Sequence, residues 1–284
     1  MRLSMLSSAL LLVCLPVHVC AVDTADDLLQ KAKAAWQKKQ PDEAIKLAGK
    51  AIDLDPKNAE AFLMRGMLYE ALDKHAEAVA DFDQTLKLDP KAADAYEHRG
   101  SEQFKLGKIA ESITDFDQYL KLKPKEEPKH WKRGISYYYA GRYEDGQKQF
   151  EAYQNVDGND VENVVWRYLC MARAAGVEKA RAGLLNVGED KRVPLMRVYD
   201  LFAGKAKPED VLVAVEEGKP SKEEMNMRLF YAHLYLGLYF EAAGDKKKTL
   251  EHMRKAVEDY PARGYMGDVA RVHLELRSKE KTKP

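Results

Sequence analysis

The sequence has 284 residues, of which 45% are hydrophobic and 32% are charged, so the chain can bury a sizeable core and is not a disordered polymer. Its 46 basic and 46 acidic side chains cancel to a formal net charge of zero. This balance gives no bulk attraction to nucleic acid or to an anionic membrane surface, and neither is predicted as a partner.

The N-terminus has the composition of an export signal. Arg2 precedes a long apolar run with no further fixed charge, and Val19 and Ala21 are the small residues that signal cleavage prefers. We therefore predict that residues 1–21 are a signal peptide, cleaved after Ala21, and that the mature chain is exported, periplasmic or secreted. A retained anchor helix is the alternative, but the run is short for a bilayer span and contains Pro16. No stable transmembrane span is expected after cleavage.

The cysteines exclude an intramolecular disulfide. Cys14 and Cys20 leave with the signal, and the mature chain keeps only Cys170. Lipid anchoring at Cys20 is an alternative, but the residue before it is Val19 and not the small residue that a lipobox requires. Cys170 lies in an apolar helical pattern, which predicts a buried thiol rather than a nucleophile.

A period of 34 residues organises the first half of the mature chain. Pro56, Pro90 and Pro124 are each 34 residues apart, and each closes a similar phrase at 51–56, 85–90 and 119–124. In these phrases an apolar pair ends a helix and the proline prevents its continuation. The period is typical of the tetratricopeptide repeat (TPR), which consists of two antiparallel helices.

Within each unit, small residues face aromatic ones. The second unit has Gly66 at position eight and Phe82 at position twenty-four, and the third has Gly100 and Phe116 at the same positions. Such pairs let two helices approach closely. We predict an array over 22–160 with four repeats, at 25–58, 59–92, 93–126 and 127–160. The expected fold is an all-α TPR solenoid of stacked antiparallel helix hairpins that form a right-handed superhelix.

The repeat phase is lost after residue 160. Helical spacing continues over 161–229, which we interpret as a degenerate helical segment with breaks at 204–210 and 218–222. The repeat pattern returns over 230–263 as a late TPR. Residues 264–284 are predicted as a capping helix and a tail.

Motifs that would indicate an enzyme are missing from the sequence. It contains no glycine-rich phosphate loop, no His-Glu-x-x-His, no Cys-x-x-Cys and no Gly-x-Ser-x-Gly. Its histidines are scattered over different repeats, so neither a metal site nor a cofactor site is predicted. The pairs Asp81/Asp83 and Asp115/Asp117 recur one repeat apart, which favours a solvated convex face over acid-base catalysis.

A partner is expected on the first helix of each repeat, at positions two, five, nine, twelve and thirteen, which we call the inner face. In cytosolic chaperone-binding TPR proteins, a lysine at position five and an asparagine at position nine of the first repeat begin a clamp for a peptide carboxylate. Leu29 and Lys33 occupy those two positions, so this clamp is absent. The residues predicted to line a groove for a protein or peptide partner are Trp36, Leu63, Met67, Trp131, Ile135, Tyr138 and Tyr139. Tyr137 is assigned to the core.

The overall plan resembles the new lipoprotein I (NlpI) family of bacterial envelope proteins. The residues that carry this resemblance are 166–169, 199–204, 230–237, Tyr239 and 244–245. The resemblance implies a noncatalytic homodimeric adaptor that presents client enzymes, including peptidoglycan hydrolases, to an envelope protease.

The leading hypothesis is a noncatalytic TPR scaffold or adaptor that mediates protein-protein interactions in the cell envelope. A second hypothesis is a structural or self-assembling protein without a dedicated client. A third is an undetected hydrolase with residues near Asp190, Lys191, Arg192 and Tyr199, where the repeat pattern relaxes.

Overall fold

A computed structural model describes residues 23–279, which form helices and turns without strands. The predicted signal peptide, Cys20 and the last five residues lie outside the described residues. The first helices are α1 (Ala25–Gln37), α2 (Pro41–Leu54), α3 (Ala59–Glu70), α4 (His75–Leu88), α5 (Ala93–Lys105), α6 (Ile109–Leu122), α7 (Trp131–Tyr139) and α8 (Tyr143–Tyr153). They are followed by α9 (Val161–Ala175), α10 (Val177–Ala182), α11 (Leu195–Phe202), α12 (Pro208–Ala214), α13 (Lys222–Ala242), α14 (Lys246–Arg254) and α15 (Tyr265–Lys279).

The chain divides into two compact units after Pro56. The described part of the first unit is the hairpin of α1 and α2. Thr24 and Asp27 form a capping box at the start of α1, which satisfies backbone N–H groups that would otherwise lack partners. Small side chains such as Ala32 and Ala48, both fully buried, let the two helices approach closely.

The second unit is built from helical hairpins in which glycine faces an aromatic ring. A Cβ atom at Gly134 would lie only 2.6 Å from the Phe150 ring. Cβ atoms at Gly66 and Gly100 would lie 2.7 Å and 2.9 Å from the rings of Phe82 and Phe116. A larger residue at these glycines would separate the two helices of a hairpin. The predicted all-α solenoid of helix hairpins is confirmed.

A row of arginines joins successive hairpins of the second unit. Arg65, Arg99, Arg133 and Arg167 are 34 residues apart. Arg99 donates to Asp115 of its own hairpin at 2.7 Å and to Asp83 of the preceding hairpin at 2.6 Å. Arg167 repeats this pattern, since it bonds Glu151 of the preceding hairpin and the Gly183 carbonyl. The arginine row therefore continues into α9 and α10, where the aromatic pattern has ended.

These ion pairs correct one sequence interpretation. Asp81 and Asp115 are 4% and 2% exposed, and each receives two hydrogen bonds from an arginine. The prediction that they lie on a solvated face was wrong, because a carboxylate buried among helices requires a paired cation.

The main apolar core runs from the fourth repeat through the middle segment to the late repeat. Tyr137 is 6% exposed, and Cys170 is fully buried with its Sγ against Gly146, so both core assignments are confirmed. Burial raises the pKa of the Cys170 thiol, which disfavours the reactive thiolate. Over residues 23–279, no helix combines the length and apolar character that crossing a membrane requires.

Candidate functional site

The structure places the seven predicted groove residues in three different environments. Trp36, in the first unit, is 37% exposed, and Met67 on α3 is 45% exposed. Leu63, Trp131 and Tyr139 are half-buried. Ile135 and Tyr138 are 1% and 0% exposed, so a partner cannot contact these two side chains in this conformation.

Tyr138 is buried because the C-terminal half of the chain covers α7. Its hydroxyl donates a hydrogen bond to the carboxylate of Glu241, on α13. Its ring meets the Trp166 ring edge-on, with the centroids 5.4 Å apart. The ring of Tyr138 therefore packs in the core, although position twelve of a repeat belongs to the inner face, where a ligand can bind.

The terminal helix α15 lies on the inner face of α5 and α7. Tyr265 stacks on Phe104 with ring centroids 5.3 Å apart and meets Trp131 edge-on at 5.2 Å. Further along α15, the Tyr139 hydroxyl lies 3.0 Å from Nδ1 of His273. The apolar spacing of the sequence indicated that α15 is amphipathic. This spacing could not show which helices its apolar face covers. The chain's own helix thus occupies the inner face of the fourth repeat.

The inner face of α3 and the first turns of α5 are not covered in this way. Met67 presents an exposed thioether there, with Leu63 one turn earlier on the same helix. Where α3 ends, a cleft of about 470 Å³ lies between Glu70, Lys105 and the chain just before α15. Lys105 bonds Glu102 at 2.5 Å, so the charges that border this cleft are held in place by other side chains.

A half-buried carboxylate stabilises the junction of the third and fourth repeats. Glu97, on α5, lies 2.6 Å from Nε2 of His130 and accepts a hydrogen bond from Lys132 at 2.9 Å. Burial opposes its ionisation, but the two basic partners outweigh burial and lower the pKa of Glu97 to about 2.

This lowered pKa predicts an acid-sensitive contribution to stability. The contribution is present above pH 4.5, the ordinary pKa of a glutamate, and is lost as the pH falls towards 2. We expect Glu97→Gln to lower the free energy of unfolding by about 3 kcal/mol at pH 6 and by little at pH 2. Urea unfolding at several pH values measures this, with the exposed Glu111→Gln as control. An equal loss at both pH values would contradict it.

Comparisons with known proteins agree with this architecture. Family models of the tetratricopeptide repeat match residues 29–83, 63–127 and 231–262. The first TPR of Spaghetti (RPAP3), solved with an HSP90 peptide, is 32% identical over 36% of this chain and 82% of its own, with a TM-score of 0.35. The family models show that the chain contains tetratricopeptide repeats at residues 29–127 and 231–262.

Two longer TPR structures resemble the fold at low identity. A tetratricopeptide repeat protein from Parabacteroides merdae is 15% identical, with 90% of this chain and 99% of that chain covered and a TM-score of 0.57. MamA is 19% identical, with 55% and 85% covered and a TM-score of 0.52. A search of curated proteins found no match. The TPR fold is one that mediates protein-protein interactions.

In the middle segment of this TPR protein, most of the residues named for the hydrolase hypothesis form structural hydrogen bonds. Asp190 accepts hydrogen bonds from the Val161 N–H, at the start of α9, and from Arg192. The Tyr199 hydroxyl donates to the Leu185 carbonyl at 3.2 Å. Lys191 is exposed. Asp190, Arg192 and Tyr199 thus hold the connection before α11 in place.

The histidines of this TPR protein are also engaged within the fold. His98 lies 2.7 Å from Glu70, His75 lies 2.7 Å from Glu102, and His233 faces His252 with their Nδ1 atoms 2.9 Å apart. Across residues 23–279, no three His, Cys, Asp or Glu side chains converge in a way that could hold a metal ion.

Proposed function

We propose that this TPR protein is a noncatalytic scaffold or adaptor that binds a protein partner on the inner face of α3 and the N-terminal part of α5. The observation that carries this proposal is the contrast between two parts of one inner face. The part on α7 is covered by α15, whereas Met67 on α3 is 45% exposed. An exposed thioether is an adaptable apolar contact for a partner side chain.

The charges beside Met67 favour a partner segment with an apolar anchor and basic neighbours. Glu60 and Asp94 occupy position two of α3 and α5, and both are exposed. Between these helices, Glu70 and Glu97 add two further carboxylates at the inner face. Glu70 pairs with His98 and Lys105, and Glu97 pairs with His130 and Lys132. Carboxylates at the rim of an apolar contact favour lysine or arginine on the partner.

The predicted export signal and the resemblance to the NlpI family support a place in the cell envelope. We propose that the partner is an envelope protein and that the scaffold presents client enzymes to a protease, as that resemblance implies. A homodimer belongs to the same proposal. Trp36, in the first unit, is a further candidate contact because its indole is partly exposed.

The decisive experiment compares two methionines of similar exposure. Tagged residues 22–284 are used to capture partners from an envelope extract, and the binding of the main partner is then measured with purified proteins. Met67→Lys places a cation among the carboxylates and is expected to weaken binding at least tenfold. Met227→Lys, at a side chain that is 42% exposed on α13, is the matched control and should bind like the wild type.

The outcomes separate the competing functions. If Met67→Lys binds like the wild type, the inner face of α3 is not the partner site. If no specific partner is captured and the mass of the protein rises with its concentration, a self-assembling role is favoured instead. Binding that weakens with added salt would support the basic partner, because exposed charges are screened.

A further inference from the structure

Three carboxylates surround one arginine where the middle segment meets the late repeat. Nη2 of Arg192 lies 2.8 Å from Asp160 and 2.6 Å from Asp190, and its Nη1 lies 3.8 Å from Glu162. Asp160 caps α9 by accepting from the Glu162 N–H. Asp190 lies in the connection before α11 and accepts from the Val161 N–H. The cluster therefore joins the start of α9 to this connection.

Charge balance at the cluster is incomplete. Within residues 23–279, Arg192 is the only basic side chain that forms an ion pair with any of the three carboxylates. Asp160 and Asp190 receive its direct hydrogen bonds, whereas Glu162 is the most distant of the three. Three ionised carboxylates around one guanidinium leave two uncompensated charges, so the least well paired one is the natural proton acceptor.

The titratable side chains of α13 that face Glu162, Tyr231 and Tyr235, bring no positive charge to it. Oε1 of Glu162 is buried and has no hydrogen-bond partner, and the same is true of the hydroxyl of Tyr235, which is fully buried. The Tyr235 hydroxyl is near enough to Glu162 to affect its pKa, but it does not reach hydrogen-bond geometry. The titratable groups that face Glu162 are Tyr153, Asp160, Asp190, Arg192, Tyr231 and Tyr235.

Electrostatics agree with this geometry. Burial raises the pKa of Glu162 to about 7, Arg192 opposes the rise, and Asp160 and Asp190 add to it. A glutamate with this pKa exchanges its proton near neutral pH.

We propose that Glu162 is the proton-binding member of a clasp that holds the 184–194 connection and the start of α9 against α13, and that the clasp loosens when Glu162 loses its proton. Ionised Glu162 would place a second uncompensated charge beside Asp160 and Asp190, in a site where the side chains of these two residues are 19% and 5% exposed. The protonated acid removes this repulsion. The packing of the 184–194 connection and the start of α9 against α13, which we call the seam, therefore becomes more stable when the pH falls through neutrality.

The sign of the pH dependence follows from the raised pKa. A glutamate whose pKa is raised by folding stabilises the folded state below its unfolded pKa, and this contribution is lost as the pH rises through the folded pKa. The window therefore runs from pH 4.5 to about 7. Glu162→Gln keeps the neutral shape and should not show this loss.

The test measures unfolding by urea from pH 5 to pH 8.5 for the wild type and Glu162→Gln. We expect the ratio of their unfolding constants, wild type over variant, to rise on the order of a hundredfold across this range. Glu144→Gln, at an exposed residue of α8, should run parallel to the wild type. Parallel curves for the wild type and Glu162→Gln would overturn the proposal.

A second measurement does not depend on the variant folding. In wild-type protein with labelled glutamate, NMR titration of the Glu162 side-chain carbon should give a midpoint near neutral pH. A midpoint near 4.5, the ordinary value, would also overturn the clasp. Hydrogen exchange at 160–163 and 189–192 should accelerate between pH 6 and pH 8.5 after correction for the intrinsic pH effect. Unchanged protection there would show that the proton does not control the seam.

Discussion

Replacing Glu241 with alanine is expected to lower the free energy of unfolding by about 3–5 kcal/mol, because it leaves a buried cation without its carboxylate. Glu241 lies on α13, and its side chain is 7% exposed. It accepts hydrogen bonds from Tyr138 on α7 and from Arg277 on α15. One carboxylate therefore joins the fourth repeat, the late repeat and the terminal helix.

Loss of Glu241 should also loosen α15. Arg277 is 13% exposed, and the carboxylate of Glu241 raises its pKa against the opposing effect of burial. Without that carboxylate, the buried guanidinium favours a conformation in which the end of α15 reaches water. Tyr139, which contacts His273 on the same helix, should then become more exposed.

The measurement combines urea unfolding with hydrogen exchange along α15. Glu275→Ala is the matched control, since Glu275 is on α15 but is 52% exposed and pairs with Lys279 in an i,i+4 bridge. We expect a loss below about 1 kcal/mol for the control. Glu241→Gln keeps an acceptor for Tyr138, so its loss of free energy of unfolding should lie between those of Glu241→Ala and Glu275→Ala. A loss for Glu241→Ala as small as that of the control would show that α15 is held by its apolar face alone.

The sequence was sufficient for the repeat architecture because the period is imposed by close contacts within each hairpin. Gly100 must face Phe116 in the third repeat for the same steric reason that Gly66 faces Phe82 in the second. Each repeat is thus specified by contacts about sixteen residues apart. The terminal helix was predictable in the same way from its own apolar spacing.

The environment of the inner face was not predictable, since it depends on contacts between residues far apart in the chain. Tyr138 meets Glu241 across 103 residues, and Arg271 reaches the Lys105 carbonyl across 166 residues. Contacts between residues so far apart leave no periodic signal in the sequence. Local spacing gave the same expectation for Met67 and Tyr138, yet one is 45% exposed and the other is fully buried.

One missed feature did have a signal in the sequence. The arginines at 65, 99, 133 and 167 keep the 34-residue period into α9, beyond the point where the aromatic residues change. The acidic pair Asp81/Asp83 recurs once in the same phase, as Asp115/Asp117. Basic and acidic residues that recur in the same phase indicate ion pairs between repeats, which would have predicted the burial of Asp81 and Asp115.

Replacing Arg99 with alanine should be the most damaging single change in this arginine row, with an expected loss of about 3–5 kcal/mol. The Arg99 side chain is 18% exposed and bonds Asp115, whose side chain is 3% exposed, through two nitrogens. Burial already raises the pKa of Asp115, and Arg99 opposes that rise. Without Arg99, the pKa of Asp115 should rise further.

Two features of this loss separate a buried unpaired charge from loss of packing. First, the loss should shrink as the pH is lowered, because Asp115 gains a proton and is then neutral in its buried site. Second, Arg99→Ala combined with Asp115→Asn should be more stable at pH 7 than Arg99→Ala alone, which a double-mutant cycle measures by urea unfolding.

Arg197→Ala, at a pair that is 44% and 33% exposed, is the control and should lose less than about 1 kcal/mol. A loss for Arg99→Ala that is independent of pH and is not relieved by Asp115→Asn would assign the effect to packing against Tyr96, whose ring lies 5.7 Å from the guanidinium. In that case the arginine row would join the repeats mainly by contact area, and not by charge.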